Sequence, residues 1–325
     1  MRPPFKNCEV LSYQNEDDKK KLLEAIAKVE SEAGREHDLI IGGEHVKGEG
    51  TFKSVNPSMP DQVMGVFQKA TPTLAEKAIQ AADSAFEQWS RVPAEERAEY
   101  IFKAADVMRR RRYEFVATMV LEEGKNWIEA DADFAEAVDF LEFYAREAIR
   151  YAQPQPLTEI EGEENEYFYI PLGVGVVIPP WNFPCAIMVG MTTATIVSGN
   201  TAVLKPASDA PLVAAKFMEV LEEVKLPPGV CNFLPGSGGA IGGTLVEHPR
   251  TRLISFTGSR EVGLSIVEGA AKTSPGQIWI KRVIAEMGGK DAIIVDSEAD
   301  LDAAVQGAKV SAFGFQGQKC SACSR

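Results

Sequence analysis

Three segments of the second half of the chain indicate the fold: VGVVIPPWNFP (174–184), TAVLKPAS (201–208) and VCNFLPGSGG (230–239). Each of these segments begins with a mainly apolar run, which is unbroken at 174–178, and ends in proline, glycine or polar residues. Apolar residues at helical spacing occupy part of the intervening sequence, for example at 213–224. Unbroken apolar strands that alternate with helices are typical of a parallel sheet covered on both faces. The sequence therefore predicts an α/β fold with a Rossmann-type parallel sheet.

The alternation of strands and helices extends to both sides of this stretch. Toward the C-terminus, apolar runs predict strands at 253–256 and 292–295, and a last helix at 301–313. Residues 153–166, which are rich in proline and glutamate, predict an extended crossover or hairpin. Toward the N-terminus, apolar stripes predict helices at 71–89, 93–124 and 130–149, after a short strand and turn at 38–44.

The net charge of the chain limits the classes of molecule that we expect it to bind. A formal net charge of −13 argues against nucleic acid, since phosphate binding requires clustered Lys and Arg. The one dense basic run, Arg109 to Arg112, lies in a helical pattern with acidic residues nearby, and we interpret it as a solvated face or a subunit contact. No apolar run reaches the roughly 18 residues of a membrane-spanning helix, and residues 1–21 show no targeting pattern. We expect a cytoplasmic protein with no membrane partner.

Cysteine and histidine usage argues against several other classes. The 5 cysteines are an odd, scattered set that does not predict a disulfide framework. The 3 histidines lack metal-ligand spacing, which disfavours a zinc enzyme or a Ser-His-Asp hydrolase. Cys320 and Cys323 fit C-x-x-C, but a redox or metal role would require a second pair or a thioredoxin-like context, and the sequence shows neither. We predict no metal site.

Polar and glycine-rich segments follow the predicted strands at their carboxyl ends, where parallel sheets bind ligands. Asn182 follows the first of these strands, and Lys205 follows the second. The third strand leads into a glycine-rich turn from Gly236 to Gly242 that opens a helix, and backbone amides at such a turn can approach a pyrophosphate. Its spacing is G-x-G-x-x-x-G and not G-x-G-x-x-G, so by itself it also fits a tight turn that only requires glycine.

Two further candidates lie near the C-terminal end. Cys320 follows GFQGQK (314–319), and the cationic neighbour Lys319 together with backbone amides predicts a lowered thiol pKa and a nucleophilic thiolate. Taken alone, Cys320 also fits a small buried apolar residue. Glu286 stands on a glycine-flanked loop and could act as a general base on water, although a surface glutamate would look the same.

The order of these motifs resembles the aldehyde dehydrogenase superfamily, whose successive signatures match PWNFP (180–184), LKPA (204–207), PGSG (235–238), FTGS (256–259), EMGGK (286–290) and GQKC (317–320). The resemblance covers essentially the whole chain after about residue 36. Segments around 108–115, 122–125, 129–140 and 313–325 are similar to the 1-pyrroline-5-carboxylate dehydrogenase branch of that superfamily.

The resemblance implies NAD-dependent oxidation of L-glutamate γ-semialdehyde, which forms from 1-pyrroline-5-carboxylate, to L-glutamate in the last step of proline degradation. In this reaction Cys320 attacks the aldehyde carbon, and Asn182 with the Cys320 backbone N–H holds the oxyanion. Hydride then passes to the nicotinamide, and Glu286 activates the water that hydrolyses the thioester.

The resemblance also implies the residues that bind the cofactor and the substrate. Serine at position 208, where many family members have Glu, removes a carboxylate that would repel a 2′-phosphate, so NAD is expected and NADP stays possible. The implied cofactor-binding residues are Ile178, Trp181, Lys205, Ser208, Gly238, Gly242, Ser259 and Gly288. The implied substrate-binding residues are Phe183, Ser321 and Glu136.

The same resemblance divides the chain into an N-terminal extension (1–36), an NAD-binding domain (37–152 and 171–286), a bridging and oligomerisation hairpin (153–170), and the start of an incomplete second α/β catalytic domain (287–325). We expect the chain to be a piece of a longer enzyme that forms a homo-oligomer at full length.

Two alternative functions stay open. A dehydrogenase for another aldehyde, such as succinate semialdehyde, would keep every catalytic motif. A catalytically inactive nucleotide-binding fragment would have the same fold but no dehydrogenase activity.

Overall fold

Helices and strands alternate through the second half of the chain, as the apolar pattern predicts. The computed structural model describes residues 3–325. The first elements are α1 (Glu16–Ser31), β1 (Arg35–His37), β2 (Leu39–Ile41), β3 (Glu44–Val46), β4 (Thr51–Asn56), β5 (Met59–Gln68), α2 (Pro72–Trp89), α3 (Ala94–Arg110), α4 (Arg112–Glu123) and α5 (Trp127–Ala152). They are followed by β6 (Val174–Ile178), α6 (Ala186–Val197), β7 (Thr201–Leu204), α7 (Pro211–Glu223), β8 (Cys231–Phe233), α8 (Gly238–Glu247), β9 (Thr251–Thr257), α9 (Arg260–Ala271), β10 (Arg282–Glu286), α10 (Leu301–Phe313) and a 3₁₀ turn (Gly314–Gly317).

The main sheet has the strand order β10-β9-β6-β7-β8-β2-β3. Strands β10 to β8 are all parallel, which confirms the predicted parallel sheet. Strands β2 and β3 extend it as an antiparallel edge. The strand and turn predicted at 38–44 are confirmed by β2 and the turn after it, whereas β3 and the pairing with the main sheet were not predicted. A separate sheet, in the order β1-β5-β4, is built on the β4–β5 hairpin.

Helices cover both faces of the main sheet and form two apolar clusters. One cluster lies under α2, α8 and α9, and the other lies under α3, α5, α6 and α7. The neighbouring residues Val176 and Val177 of β6 belong to opposite clusters, as the two-residue period of a strand requires. Both are fully buried, and burial of such a side chain stabilises the fold by about 1.5–3 kcal/mol. This two-sided burial explains why these strands read as continuous apolar runs.

The predicted helix from Pro93 to Gly124 is instead two helices, α3 and α4, which meet at Arg111. Arg111 binds Glu114 and also Glu219 of α7, and its side chain is only 15% exposed. Arg112 turns to Asp131 of α5. The interpretation of this arginine run as a solvated face is therefore wrong for Arg111 and Arg112, because partners on different elements draw them inward.

The predicted strand at 292–295 was wrong, and strand β10 at Arg282–Glu286 was missed. Strand β10 pairs with β9 at the edge of the sheet, and its residues alternate between more and less exposed positions. Its apolar stretch, Val283 to Ala285, is only three residues long and is flanked by charged residues, so a search for longer unbroken apolar runs overlooks it. Residues 292–295 make little contact with the sheet, and Ile294 is 94% exposed.

Residues 153–173 cross from α5 to β6 without a helix or strand, which fits the predicted extended crossover and shows no hairpin pairing. Most of this segment is exposed, with Tyr169 packed edge-on against Tyr151. Within residues 3–325, no helix combines the length and the apolar character that a membrane crossing needs.

Candidate active site

The carboxyl edge of the parallel strands gathers most of the residues singled out in the sequence. Asn182 lies beyond β6, Lys205 follows β7, and Ser259 follows β9. Glu286 is the last residue of β10. This convergence follows from the parallel order of the strands, because parallel strands present their carboxyl ends at one edge.

A cavity of about 480 Å³ opens beside this edge, between α8 and α9. Four of the predicted cofactor-binding residues line it, namely Ile178, Lys205, Gly238 and Gly242. The others do not line it. Ser208 donates to the Gly236 carbonyl (3.3 Å), Ser259 caps α9 by accepting from the Val262 amide (3.3 Å), Trp181 is 44% exposed, and Gly288 is exposed beyond β10.

Further residues that line this cavity were not predicted from the sequence. Glu261, Val262 and Ser265 of α9 line it together with Gly239 and Gly243 of α8. The four-residue spacing of Gly239 and Gly243, and of Glu261 and Ser265, places each pair on one face of its helix. That spacing was visible in the sequence, but only the packing of α8 against α9 shows that the two faces meet.

The glycines of α8 leave space that the chain itself does not fill. A Cβ atom added at Gly242 or Gly243 would meet nothing within 4 Å. Glycine inside a helix costs about 1 kcal/mol relative to alanine, and internal packing does not explain that cost here. A ligand that approaches the backbone of α8 closely would explain it.

Lys205 brings a buried amine to the same cavity. It is only 5% exposed, and its Nζ donates to the Pro206 carbonyl at 2.9 Å. Burial lowers the pKa of Lys205 to about 8, with Asp209 opposing the shift. Since an ammonium group has three donors, further donors are available toward the cavity.

Cys320 lies beyond the 3₁₀ turn that ends α10, and it is partly buried. Burial raises the pKa of the Cys320 thiol, the charge of Glu286 raises it further, and the backbone N–H groups of Ser321 and Cys320 oppose the rise. The prediction that Lys319 lowers this pKa is wrong. The Lys319 ammonium turns away from the thiol and donates to the Val310 carbonyl of α10 at 3.2 Å.

Two contacts hold the loop of Cys320 against the carboxyl edge of the sheet. The Asn182 side-chain amide donates to the Gln318 carbonyl at 2.8 Å. The segment after Glu286 also packs on this loop, since a Cβ atom at Gly289 would lie 2.9 Å from the Cys320 carbonyl oxygen. The thiol, the amide and the carboxylate therefore come from three elements that contact one another around Cys320.

A sequence profile described as the aldehyde dehydrogenase family matches residues 45–325. The chain belongs to the aldehyde dehydrogenase family. It is 57% identical over 325 residues to 1-pyrroline-5-carboxylate dehydrogenase of Geobacillus thermodenitrificans, a match that covers 100% of this chain and 63% of the relative. The chain thus spans 63% of the length of this relative.

Solved structures of this family superpose on the chain. 1-Pyrroline-5-carboxylate dehydrogenase from Thermus with bound NAD gives a TM-score of 0.96 at 52% identity, and the match covers 100% of this chain and 63% of that one. The Mycobacterium tuberculosis Δ-pyrroline-5-carboxylate dehydrogenase with bound NAD gives a TM-score of 0.91 at 30% identity, and the match covers 99% and 61%. The predicted aldehyde dehydrogenase fold is confirmed.

The family resemblance also singled out three substrate-binding candidates, Phe183, Ser321 and Glu136. Phe183 packs edge-on against Phe315, with ring centroids 5.9 Å apart. Ser321 is exposed directly after Cys320. Glu136 lies on α5, where partial burial raises its pKa, Asp133 adds to the rise and Lys125 opposes it.

Proposed function

We propose that this chain supplies the nucleotide-binding part and the nucleophile of an NAD-dependent dehydrogenase that oxidises L-glutamate γ-semialdehyde to L-glutamate. The observation that carries the proposal is that the Cys320 loop contacts both the Asn182 amide and the segment after Glu286. The names of the relatives support this aldehyde, which is in equilibrium with 1-pyrroline-5-carboxylate.

The cavity between α8 and α9 fits a dinucleotide in its chemistry. Gly238 and Gly242 allow close approach of a pyrophosphate, and the nearby ammonium of Lys205 suits a ribose or phosphate oxygen. We propose that Ile178, Trp181, Ser208, Ser259 and Gly288 complete this site. Bound NAD would supply the hydride acceptor. Serine at position 208 leaves NADP possible as well.

In the proposed reaction the Cys320 sulfur bonds to the aldehyde carbon, while the carbonyl electron pair moves onto oxygen. Because the thiol pKa is raised, the proton needs an acceptor, and the nearby Glu286 carboxylate is suited to take it. The second Asn182 N–H and the Cys320 backbone N–H would hold the oxyanion, and one such donor is worth about 3 kcal/mol.

After hydride loss, the substrate carbon is held to Cys320 as a thioester. Glu286 first releases to solvent the proton that it took from the thiol. It then removes a proton from the water that attacks this carbon, the C–S bond breaks, and Cys320 leaves as the thiolate. The exposed position of Glu286 at the end of β10 gives water access to its carboxylate.

Substrate recognition, domain organisation and location follow from the same proposal. Ser321 would donate to the α-carboxylate, Phe183 would pack on the aliphatic chain, and Glu136 would face the ammonium.

We assign residues 1–36 to an extension, 37–152 with 171–286 to the NAD-binding domain, 153–170 to a bridging segment used in oligomerisation, and 287–325 to the catalytic domain. We propose a cytoplasmic homo-oligomer for the enzyme of full family length.

The test follows NADH formation at 340 nm with pyrroline-5-carboxylate. Two proteins are compared, the chain itself and a chimera that adds the part of the Geobacillus thermodenitrificans relative without a counterpart here. Each is paired with its Cys320→Ala variant, which we expect to lose about 10⁴-fold or more in turnover.

Comparison with succinate semialdehyde then separates the outcomes. Rapid turnover of pyrroline-5-carboxylate and slow turnover of succinate semialdehyde would support the proposed substrate. The reverse preference would keep the chemistry and reject the substrate. NADH formation that persists in Cys320→Ala would reject the proposed nucleophile.

One observation favours a second candidate, nucleotide binding without turnover. Burial and Glu286 raise the pKa of the Cys320 thiol, and the Lys319 ammonium donates to Val310, so the protonated thiol is favoured over the nucleophilic thiolate. In this case the chimera would bind NAD in calorimetry but form no Cys320-dependent NADH.

A further inference from the structure

A buried lysine lies between the two loops that carry the proposed oxyanion donor and the nucleophile. The side chain of Lys125 is 0% exposed. Its ammonium lies 4.3 Å from the ring centroid of Phe183, next to Asn182, and 4.7 Å from that of Phe315, in the turn before Cys320. An ammonium over an aromatic face is attracted by the ring quadrupole, most strongly when water is excluded.

The partner of this ammonium also anchors the Asn182 loop. Lys125 Nζ donates to Asp133 Oδ2 at 2.7 Å, and the Asp133 carboxylate is fully buried. The other oxygen, Oδ1, accepts from the Ala186 backbone N–H at 2.7 Å, at the start of α6. A carboxylate at a helix N-terminus is favoured by the helix dipole, so Asp133 stabilises α6 while it holds Lys125.

The Cys320 loop is anchored to the same helix, α5, by a second carboxylate. Glu129 Oε1 accepts from the Phe315 backbone N–H at 2.7 Å. Phe315 and Gln316 have φ values of 51° and 53°, a left-handed conformation that non-glycine residues rarely adopt. Such a conformation persists only where surrounding contacts impose it, and the Glu129 bond and the Lys125 contact are two such constraints.

We propose that Lys125 is a positioning residue that fixes the Asn182 loop relative to the Cys320 loop, and thereby aligns the oxyanion donor with the nucleophile. The roles of Asn182 and Cys320 rest on the proposed function, whereas the clamp itself rests on the contacts of Lys125 alone. When the ammonium is removed, the rings of Phe183 and Phe315 lose their shared partner. The Cys320 loop then moves away from the edge of the sheet, and the thiol becomes more exposed and more distant from Glu286.

The first test measures the reactivity of Cys320 and does not depend on turnover. The chain is treated with iodoacetamide across a pH series, in a Cys323→Ser background so that modification is assigned to Cys320 by mass spectrometry. Lys125→Met keeps the length of the side chain but removes its charge. We expect labelling at pH 7 to rise by about threefold or more, with its midpoint shifted to lower pH, because burial and Glu286 both raise the thiol pKa in the parent chain.

Two further variants separate positioning from general loss of stability. Lys125→Met combined with Asp133→Asn removes the Asp133 charge together with the ammonium, and the new amide oxygen can still accept from the Ala186 N–H. Glu123 Oε2, which lies 3.7 Å from Lys125 Nζ, also loses its partner, but burial raises the pKa of Glu123 to about 10, so this carboxyl is neutral at pH 7. This double variant is used if Lys125→Met alone fails to fold, and we expect it to show the same increase in the labelling of Cys320. Arg112→Met is the matched control, because it removes an ion pair to Asp131 of α5 that touches neither loop. We expect it to lower stability and leave the labelling of Cys320 unchanged.

The second test uses the chimera described above. We expect Lys125→Met with Asp133→Asn to lower kcat by 10-fold or more with little change in the KM for NAD, because the cavity between α8 and α9 lies apart from Lys125. Lys125→Arg, which keeps the cation, should recover part of this loss. If the parent chimera does not turn over, the proposed function fails, and the labelling series alone decides the role of Lys125.

Two labelling results would overturn the clamp. One is parental reactivity of Cys320 in the folded double variant. The other is an equal change in Arg112→Met, which would show that any weakening of α5 loosens the loop.

Discussion

The central strands β6 to β9 and the C-terminal segment, residues 287–325, contribute to the candidate site by different physical means. The central strands are almost entirely buried between two layers of helices, and they hold their loops in place by packing. Helix α10 of the C-terminal segment has no buried residue, and Phe313 at its end is 76% exposed. Cys320 is therefore positioned by a small set of specific contacts, of which Asn182, Glu129 and Lys125 provide three.

This contrast explains why the electrostatics of the two regions differ. Lys205 is held by a rigid sheet, and its pKa shift comes mainly from burial. The thiol of Cys320 is only partly buried, and its pKa also depends on the charge of Glu286 and on two backbone N–H groups. A site with both parts combines a preformed cavity with a nucleophile whose reactivity depends on how its loop is held.

The largest expected effect is on stability and tests the contrast directly. Ile254 in β9 is 0% exposed and Ile294 is 94% exposed. Ile254→Ala should lower the free energy of unfolding by about 4 kcal/mol, because it leaves a cavity in a close-packed core. Ile294→Ala should change it by about 0.5 kcal/mol or less. Urea denaturation followed by circular dichroism measures both, and similar losses would refute the contrast.

The next effect is on the pH dependence of stability, and it concerns the Lys205 amine, which is buried beside the central strands. Burial lowers the pKa of Lys205 to about 8 from 10.5, so between these pH values the unfolded chain binds more protons than the folded chain. Stability should therefore rise with pH across this window, by on the order of 3 kcal/mol for this residue. Lys205→Met should remove that rise. Equal pH slopes for the parent and the variant, from urea titrations at pH 8 and 10, would contradict the prediction.

A smaller effect distinguishes the glycines of the two regions. Gly242 in α8 and Gly307 in α10 both have open space where a Cβ would lie. Alanine at either position should stabilise its helix by about 1 kcal/mol. Only Gly242→Ala should weaken NAD binding in calorimetry, since its methyl group would occupy the proposed dinucleotide site. Unchanged affinity in Gly242→Ala would argue against that site.

The smallest expected effect sharpens the description of the C-terminal segment. Glu286→Gln removes a charge that raises the pKa of Cys320, so iodoacetamide labelling at pH 7 should increase by about two- to fivefold. Glu298→Gln is the matched control, because Glu298 is an exposed carboxylate of the C-terminal segment that is not among the causes of this shift. If both variants label alike, Glu286 is not electrostatically coupled to the thiol.

Much of the fold was predictable because the central strands are covered on both faces. Two-sided burial favours apolar residues along β6 and β7, where the polar Thr201 donates to the Ala82 carbonyl, and the resulting runs stand out in the sequence. Strand β10 was overlooked because its apolar stretch, Val283 to Ala285, is only three residues long. The break at Arg111 was overlooked because the helical pattern continues through it, and only the structure shows that Arg111 ends α3 and pairs with Glu219 of α7.

The candidate site was predictable as a set of residue types and only partly as an arrangement. The order of the motifs indicated Cys320, Glu286 and Asn182, because nucleophile, base and oxyanion donor each demand a particular functional group. The orientation of Lys319 could not be read from its position next to Cys320, since the carbonyl of Val310 competes for its ammonium. The contacts of Lys125 could not be predicted from the sequence for a related reason, because only folding brings Phe183 and Phe315 close to its ammonium.

The sequence by itself determined the parallel core, the family and the chemical groups available at the carboxyl edge of the sheet. These depend on local apolar patterning and on residue identity, both of which are properties of the linear chain. The tertiary structure alone decided the open cavity between α8 and α9, the raised pKa of the Cys320 thiol and the burial of Lys125 between two rings. Each of these depends on which distant groups become neighbours, and both solvation and Coulomb energy are set by that proximity.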